Sequence, residues 1–145
     1  MSDEKPKNEE PYILDAQVGF ILRQAQQRHT TLFASRMIEG LTPTQWAALA
    51  KLSEIGPSSQ NQLGRLTAMD AATIKGVIDR LSKRGFTATK PDPADGRRLL
   101  VALTADGEAL YGKAAPIAKR ITEETLAPLS ERERAQFIAL LSRLT

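Results

Sequence analysis

Eight basic side chains, Arg65, Lys75, Arg80, Lys83, Arg84, Lys90, Arg97 and Arg98, fall between residues 60 and 104, against four acidic ones, Asp70, Asp79, Asp92 and Asp95. The segment carries a local net charge of +4 in a chain whose total is +3, so the remainder sums to −1. Cations gathered in one stretch neutralise phosphates and release their counterions, the main electrostatic source of affinity for nucleic acid. On charge alone an ordinary solvated basic face fits as well, so the elements that carry the charge must decide. Other chemistries have little to work with. The chain lacks cysteine, which removes thiolate nucleophiles, disulfides and sulfur-ligated zinc. It has one histidine, no phosphate-cradling glycine loop and no Ser-His-Asp order that stands out. It is not expected to be an enzyme, nor to hold a metal or cofactor.

The elements around the basic segment read as follows. Ser59 with Gln62 three residues on is a capping signature for a short helix carrying Leu63 and Leu66. After only Thr67, Ala68 and Met69, Asp70 starts a second helix with Ile74, Val77, Ile78 and Leu81 as its apolar stripe. Two helices joined by so tight a turn are a helix-turn-helix signature. Helical periodicity stops at Gly85; Phe86 to Lys90 alternates like a strand, residues 91–98 are dense in turn formers, and Leu99 to Leu103 is an apolar strand. Residues 86–103 are therefore expected to form a β-hairpin. A basic helix-turn-helix followed by a basic hairpin is the footprint of a duplex-DNA reader.

Flanking helices complete the chain. A long amphipathic helix is expected over residues 12–39, with Leu14, Val18, Ile21, Ala25 and Leu32 in one stripe and Gly40 closing it. Thr42, Pro43 and Gln45 open a helix through Trp46, Leu49, Leu52 and Ile55 that ends at Gly56-Pro57. Thr104 caps a helix with Leu110, Ala114, Ile117 and Ile121 on one side and a bend at Pro116, and Ser130 with Glu133 opens a terminal helix bearing Phe137, Leu140, Leu141 and Leu144. The 145 residues, 41% hydrophobic and 26% charged, suit one compact domain. No apolar run reaches the length of a membrane span, and the polar, acidic start is not a signal peptide, so the expected location is the cytoplasm. Residues 1–10 are expected to be a flexible tail and residues 11–145 a single domain.

The stretch Asp70-Ala-Ala-Thr-Ile-Lys-Gly-Val-Ile-Asp-Arg-Leu-Ser-Lys-Arg-Gly85, then Asp92-Pro-Ala-Asp-Gly-Arg-Arg98 and Leu103-Thr-Ala-Asp-Gly107, resembles the multiple antibiotic resistance regulator (MarR) family of bacterial transcription factors. The resemblance implies a mainly α fold: a winged helix-turn-helix over residues 43–104, a small β-hairpin wing, and dimerisation helices over 12–39 and 105–145. It also implies a homodimer on a pseudo-palindromic duplex operator, with a ligand crevice between the dimer and DNA modules. Residues 70–84 would be the recognition helix and 91–98 the wing tip. Lys90 departs from the arginine usual there, losing a bidentate fork but not the charge, and Gly76 stands where a larger polar residue is common.

A recognition helix meets base edges through its N-terminal part, which nominates Ala71, Ala72, Thr73, Lys75 and Gly76. Gly76 either lets the backbone approach DNA or is an ordinary surface glycine. Arg80 either reaches a phosphate or pairs with the neighbours of Asp79 inside the protein. Arg97 is expected to enter the minor groove from the wing, held by a charge-assisted hydrogen bond to Asp95, with Arg98 beside it. Ser58, Ser59, Gln60 and Asn61 offer phosphate contacts, or serve as caps alone. For an effector, His29 and Arg36 share one side of the first helix and suit a carboxylate or phosphate, unless they are structural; Arg28, Trp46, Met69 and Tyr111 are weaker candidates, Trp46 also reading as core. The resemblance suggests an aromatic carboxylate or an acyl-CoA thioester as effector, and a repressor released by it. The competing reading is a winged-helix module for protein–protein assembly with no effector.

Overall fold

The computed structural model describes residues 10–145, so the expected tail falls almost wholly outside the described residues. The elements are α1 (Val18–Arg36), α2 (Pro43–Ile55), α3 (Gln60–Leu66), α4 (Ala71–Lys83), β1 (Thr87–Pro91), β2 (Leu99–Leu103), α5 (Ala105–Thr125) and α6 (Glu131–Ser142). Each of α2 to α6 starts where its sequence signal stands. Thr42, Ser59, Asp70, Thr104 and Ser130 accept a hydrogen bond from the backbone N–H three residues on, satisfying donors that the first turn leaves open. Thr42 with Gln45 and Ser130 with Glu133 close reciprocal boxes.

The core lies between α2, α3, α4, α5 and the inner face of β2. Leu49, Leu63, Ile74, Val77, Ile78, Leu81, Val101 and Leu110 are its centre, and each large aliphatic side chain removed from water there contributes about 1.5–3 kcal/mol. All four stripe positions of α4 are in it. The hairpin is antiparallel with Thr87 opposite Leu103 and Lys90 opposite Leu100. Ser58 adds a short third rung: its N–H donates to the Val101 carbonyl at 3.0 Å and its carbonyl accepts from Val101 N–H at 2.8 Å. That rung seats the start of α3 against the base of the wing.

Gly107 accounts for the Leu-Thr-x-x-Gly signature physically. A Cβ there would lie 2.0 Å from the Phe86 carbonyl oxygen, so only glycine lets the first turn of α5 meet the start of the hairpin. Thr104 completes the joint, its hydroxyl donating to the Gly85 carbonyl at 2.6 Å and accepting from Gly107 N–H at 3.1 Å.

The first helix is shorter than the expected 12–39. Residues Leu14–Ala16 form a separate 3-10 turn, and Gln17, extended at φ −90°, separates it from α1. At the other end Met37 is extended and Glu39 and Gly40 take positive φ, because the chain turns inward to bury Leu41. The stripe also faces elsewhere: Phe33 is the buried residue of α1, whereas Leu14, Val18 and Ile21 are exposed. Ile55 and Leu66, placed in stripes by spacing, are likewise exposed because their helices end there. α5 continues past Pro116 without interruption. Among the described residues no helix is long and apolar enough to cross a membrane.

Candidate nucleic-acid interface and effector crevice

α4 presents Ala71, Ala72, Thr73 and Lys75 to solvent, with Gly76 half-buried and Arg80 exposed. Asp70 anchors this end: its carboxylate accepts from Thr73 N–H at 2.7 Å, and that backbone bond, then the Thr73 hydroxyl, hold its pKa below the ordinary carboxylate value. Lys75 spans one helical turn to Asp79 at 3.1 Å, an exposed pair of small net worth that a phosphate or base can replace. Of the two alternatives for Arg80, the pairing inside the protein is not formed; Arg80 has no side-chain hydrogen bond or ion pair among the described residues. Arg84 instead reaches Glu39 at 3.4 Å and lies 5.0 Å over the Phe86 ring.

Ser58 is withdrawn from the surface. It is buried, its backbone is used in the rung with Val101, and its hydroxyl donates to the Ser59 carbonyl at 3.1 Å. Ser59 caps α3, accepting from Gln62 N–H at 3.3 Å, while Gln60 and Asn61 remain at least partly exposed. A surface cavity of about 390 Å³ joins Ser59, Gln60, Asn61 and Arg65 to Arg98 and Leu99, placing the polar start of α3 and the wing base on one continuous surface. Arg65 was missed by sequence reasoning; its position four residues after Asn61, hence on the same helical face, is the signal that marks it.

At the wing, Lys90, Arg97 and Arg98 are exposed. Asp95 does not bind the Arg97 guanidinium as expected. Its carboxylate accepts from the Arg97 backbone N–H at 3.1 Å, and Asp92 accepts from Ala94 N–H at 2.8 Å. Both aspartates build the turn, because a carboxylate two residues before an N–H closes a short local ring more readily than it holds a long, mobile side chain. The Arg97 guanidinium is thereby left at the tip.

The six effector candidates do not converge on one site. Arg28, His29 and Arg36 meet the end of α5. Arg28 donates to the carbonyls of Thr125 and Glu124, the latter at 2.9 Å, and Arg36 Nε contacts both Glu124 carboxylate oxygens at 3.2 Å. Cations beside the last carbonyls of a helix complement its dipole, so both arginines already have internal partners. His29 Nδ1 lies 2.8 Å from Thr125 Oγ1, whose single proton goes to the Ile121 carbonyl at 2.8 Å. Nδ1 must therefore be the donor, and in the neutral ring Nε2 is the acceptor. His29 also lines a cavity of about 290 Å³ with Leu22, Gln26, Thr122, Phe137 and Leu141. Trp46 and Tyr111 stack at 5.5 Å and 6° on the α2–α5 face, apart from that cavity, and Met69 packs on the core from the helix-turn-helix turn.

A sequence profile of the MarR family matches residues 41–99. The transcriptional repressor NicR of Pseudomonas putida is 39% identical over 140 residues, covering 96% of this chain and 89% of that protein. A probable transcriptional regulator from Pseudomonas aeruginosa of known structure is 57% identical, with a TM-score of 0.90 over 92% of this chain and 100% of that one. Bordetella bronchiseptica BpsR, whose DNA binding is regulated by 6-hydroxynicotinic acid, is 40% identical, with a TM-score of 0.88 over 93% and 97% of the two chains.

Proposed function

The chain belongs to the MarR family of winged-helix transcriptional regulators, and from that premise we propose that it is a homodimeric repressor released from a pseudo-palindromic operator by a small aromatic acid. The observation that carries the DNA-reading part is the single surface joining Asn61 and Arg65 of α3 to Arg98 at the wing base, with the exposed N-terminal half of α4 presented for a major groove. Thr73 and Lys75 read bases, Asn61, Arg65, Lys90 and Arg98 position the phosphate backbone, and Arg97 enters the adjacent minor groove.

A second copy of the chain is the occupant of the apolar groove at the chain ends. That groove, about 540 Å³, is lined by Val18, Ile21, Leu22, Phe137, Leu140 and Leu144 among others. Two copies related by a two-fold axis would present recognition helices about one helical turn, roughly 10 bp, apart.

The effector reading rests on the cavity beside His29 and on the likeness to BpsR. A single substituted ring suits that volume better than a coenzyme A conjugate. Within the cavity a ring hydroxyl would donate to His29 Nε2, and Arg36, about two turns along α1 and outside the cavity lining, would have to leave Glu124 and swing toward it to meet the ring carboxylate. Loss of the Arg36–Glu124 pair would loosen α1 from α5 and favour a dimer whose recognition helices no longer match the operator. Only differential affinity for the two forms can do this, so operator must weaken ligand binding by the factor that ligand weakens operator binding.

The test has two arms. Arg97→Ala should weaken duplex binding by about tenfold across sequences and reduce its salt dependence; unchanged affinity at physiological salt would remove the wing from the interface. Titrating 6-hydroxynicotinic acid and benzoic acids in a DNA-release assay should show weakened response in His29→Ala and Arg36→Ala. An unchanged response in both eliminates this effector site.

A further inference from the structure

The exposed face of α4 is sparse in long side chains toward its N-terminal half. Ala71, Ala72 and Gly76 offer at most a methyl group, and Thr73 gives its backbone N–H to Asp70. Of the cations on this helix, Lys75 is bound to Asp79, Lys83 lies in the last turn, and Arg84, just beyond the helix, is bound to Glu39 and covers Phe86. Arg80, in the same last turn as Lys83, alone combines a guanidinium with no internal partner among the described residues.

Its conformation is specific. A Cβ on Gly76 would lie 3.2 Å from Arg80 Nη1 and 3.6 Å from Nη2, so the guanidinium rests on the bare backbone of Gly76 one turn toward the helix N-terminus. Helical side chains lean that way, but a side chain at residue 76 would crowd the seat. Glycine is among the least favourable residues for a helix interior, so its place here calls for a reason, and the reason visible in the structure is the arginine lying on it.

Resting on the duplex-DNA reading above, we propose that Arg80 is the principal base-reading residue of α4, its guanidinium seated on Gly76 and recognising a guanine in the major groove of each half-site. The planar fork carries two parallel donors that match guanine O6 and N7, a match that the point charge of lysine cannot make. No internal ion pair has to be broken first, in contrast to Lys75. A phosphate contact would need only charge and reach, and would draw nothing from the bare surface at residue 76.

The full chain is tested by selecting duplexes from a randomised pool and then measuring affinity against salt for the wild type, Arg80→Ala, Arg80→Lys and Gly76→Leu, with circular dichroism confirming that each is folded. The wild type is expected to select a G·C pair at one position of each half-site. Arg80→Ala and Arg80→Lys should lose that preference, by roughly tenfold to a hundredfold in discrimination, while preferences elsewhere persist. Gly76→Leu keeps the arginine but fills its seat, and should lose the same preference. The proposal is overturned if Arg80→Ala weakens all sequences uniformly and lowers the salt slope by about one, the signature of a phosphate contact. It is also overturned if Gly76→Leu selects the wild-type sequence. Failure of the wild type to bind any duplex would overturn the DNA reading itself, which separates the two outcomes.

Discussion

The middle of the chain and its two ends both carry apolar stripes on capped helices, but they bury them differently. Leu49, Leu63 and Leu81 are wholly buried, whereas Val18, Leu140 and Leu144 stand 65%, 59% and 68% exposed. The winged helix therefore closes its own core, while the ends keep a hydrophobic surface that the described residues of one copy do not cover. On the proposed function, folding of the DNA-reading unit and assembly of a two-fold dimer fall to different residues.

That division can be broken most directly in the core. Leu49→Ala or Leu81→Ala should lower stability by about 2–5 kcal/mol in chemical denaturation, because the cavity left in a closed core cannot collapse. A loss below about 1 kcal/mol would show that the centre is less closed than its burial implies. At the ends, Ile21→Glu combined with Leu140→Glu should leave helical content intact, give a monomer in sedimentation, and cost about a hundredfold or more in operator affinity as the two half-site contacts cease to be tethered. A dimer that persisted would move the interface elsewhere.

Smaller effects sharpen the contrast. Ala68 occupies the left-handed region at φ 55° in the helix-turn-helix turn, where a Cβ is unfavourable. Ala68→Gly should therefore stabilise the chain by a few tenths to about 1 kcal/mol, the gain limited by the greater freedom of glycine in the unfolded state. The smallest expected effects concern two carboxylates with lowered pKa, one in each region. Asp70 is held down chiefly by Thr73 N–H and Glu133 chiefly by Ser130 N–H. A lowered folded-state pKa stabilises above the unfolded value, about pH 4, and that contribution disappears as pH falls through the lowered folded value. Asp70→Ala and Glu133→Ala should each lower Tm at pH 7, with the gap from wild type closing in acid. A gap independent of pH would mean that the charge of the cap contributes nothing.

Much of the fold was legible because its signals are local. The caps at Thr42, Ser59, Asp70, Thr104 and Ser130 act across three residues, and the stripe of α4 repeats across four, so neither depends on what the rest of the chain does. The basic segment and the hairpin were readable for the same reason. The spacing of α1 was misleading because periodicity reports that a helix has an apolar side, not which neighbour will cover it, and Phe33 rather than the longer stripe faces the chain's own core.

By itself the sequence determined the order of helices, the helix-turn-helix, the wing and the charge upon them, since each follows from propensities and hydrogen bonds within a few residues. Only the tertiary structure decided which polar groups are free. Arg28, His29 and Arg36 meet partners 88 to 97 residues away, and Ser58 is removed from the surface by its rung with Val101. Gly107 is required by the approach of the Phe86 carbonyl, and Arg80 lies over Gly76 with no internal partner among the described residues. Such contacts depend on how whole elements pack, and a side chain's competing partners become definite only once that packing has brought them within a few ångströms.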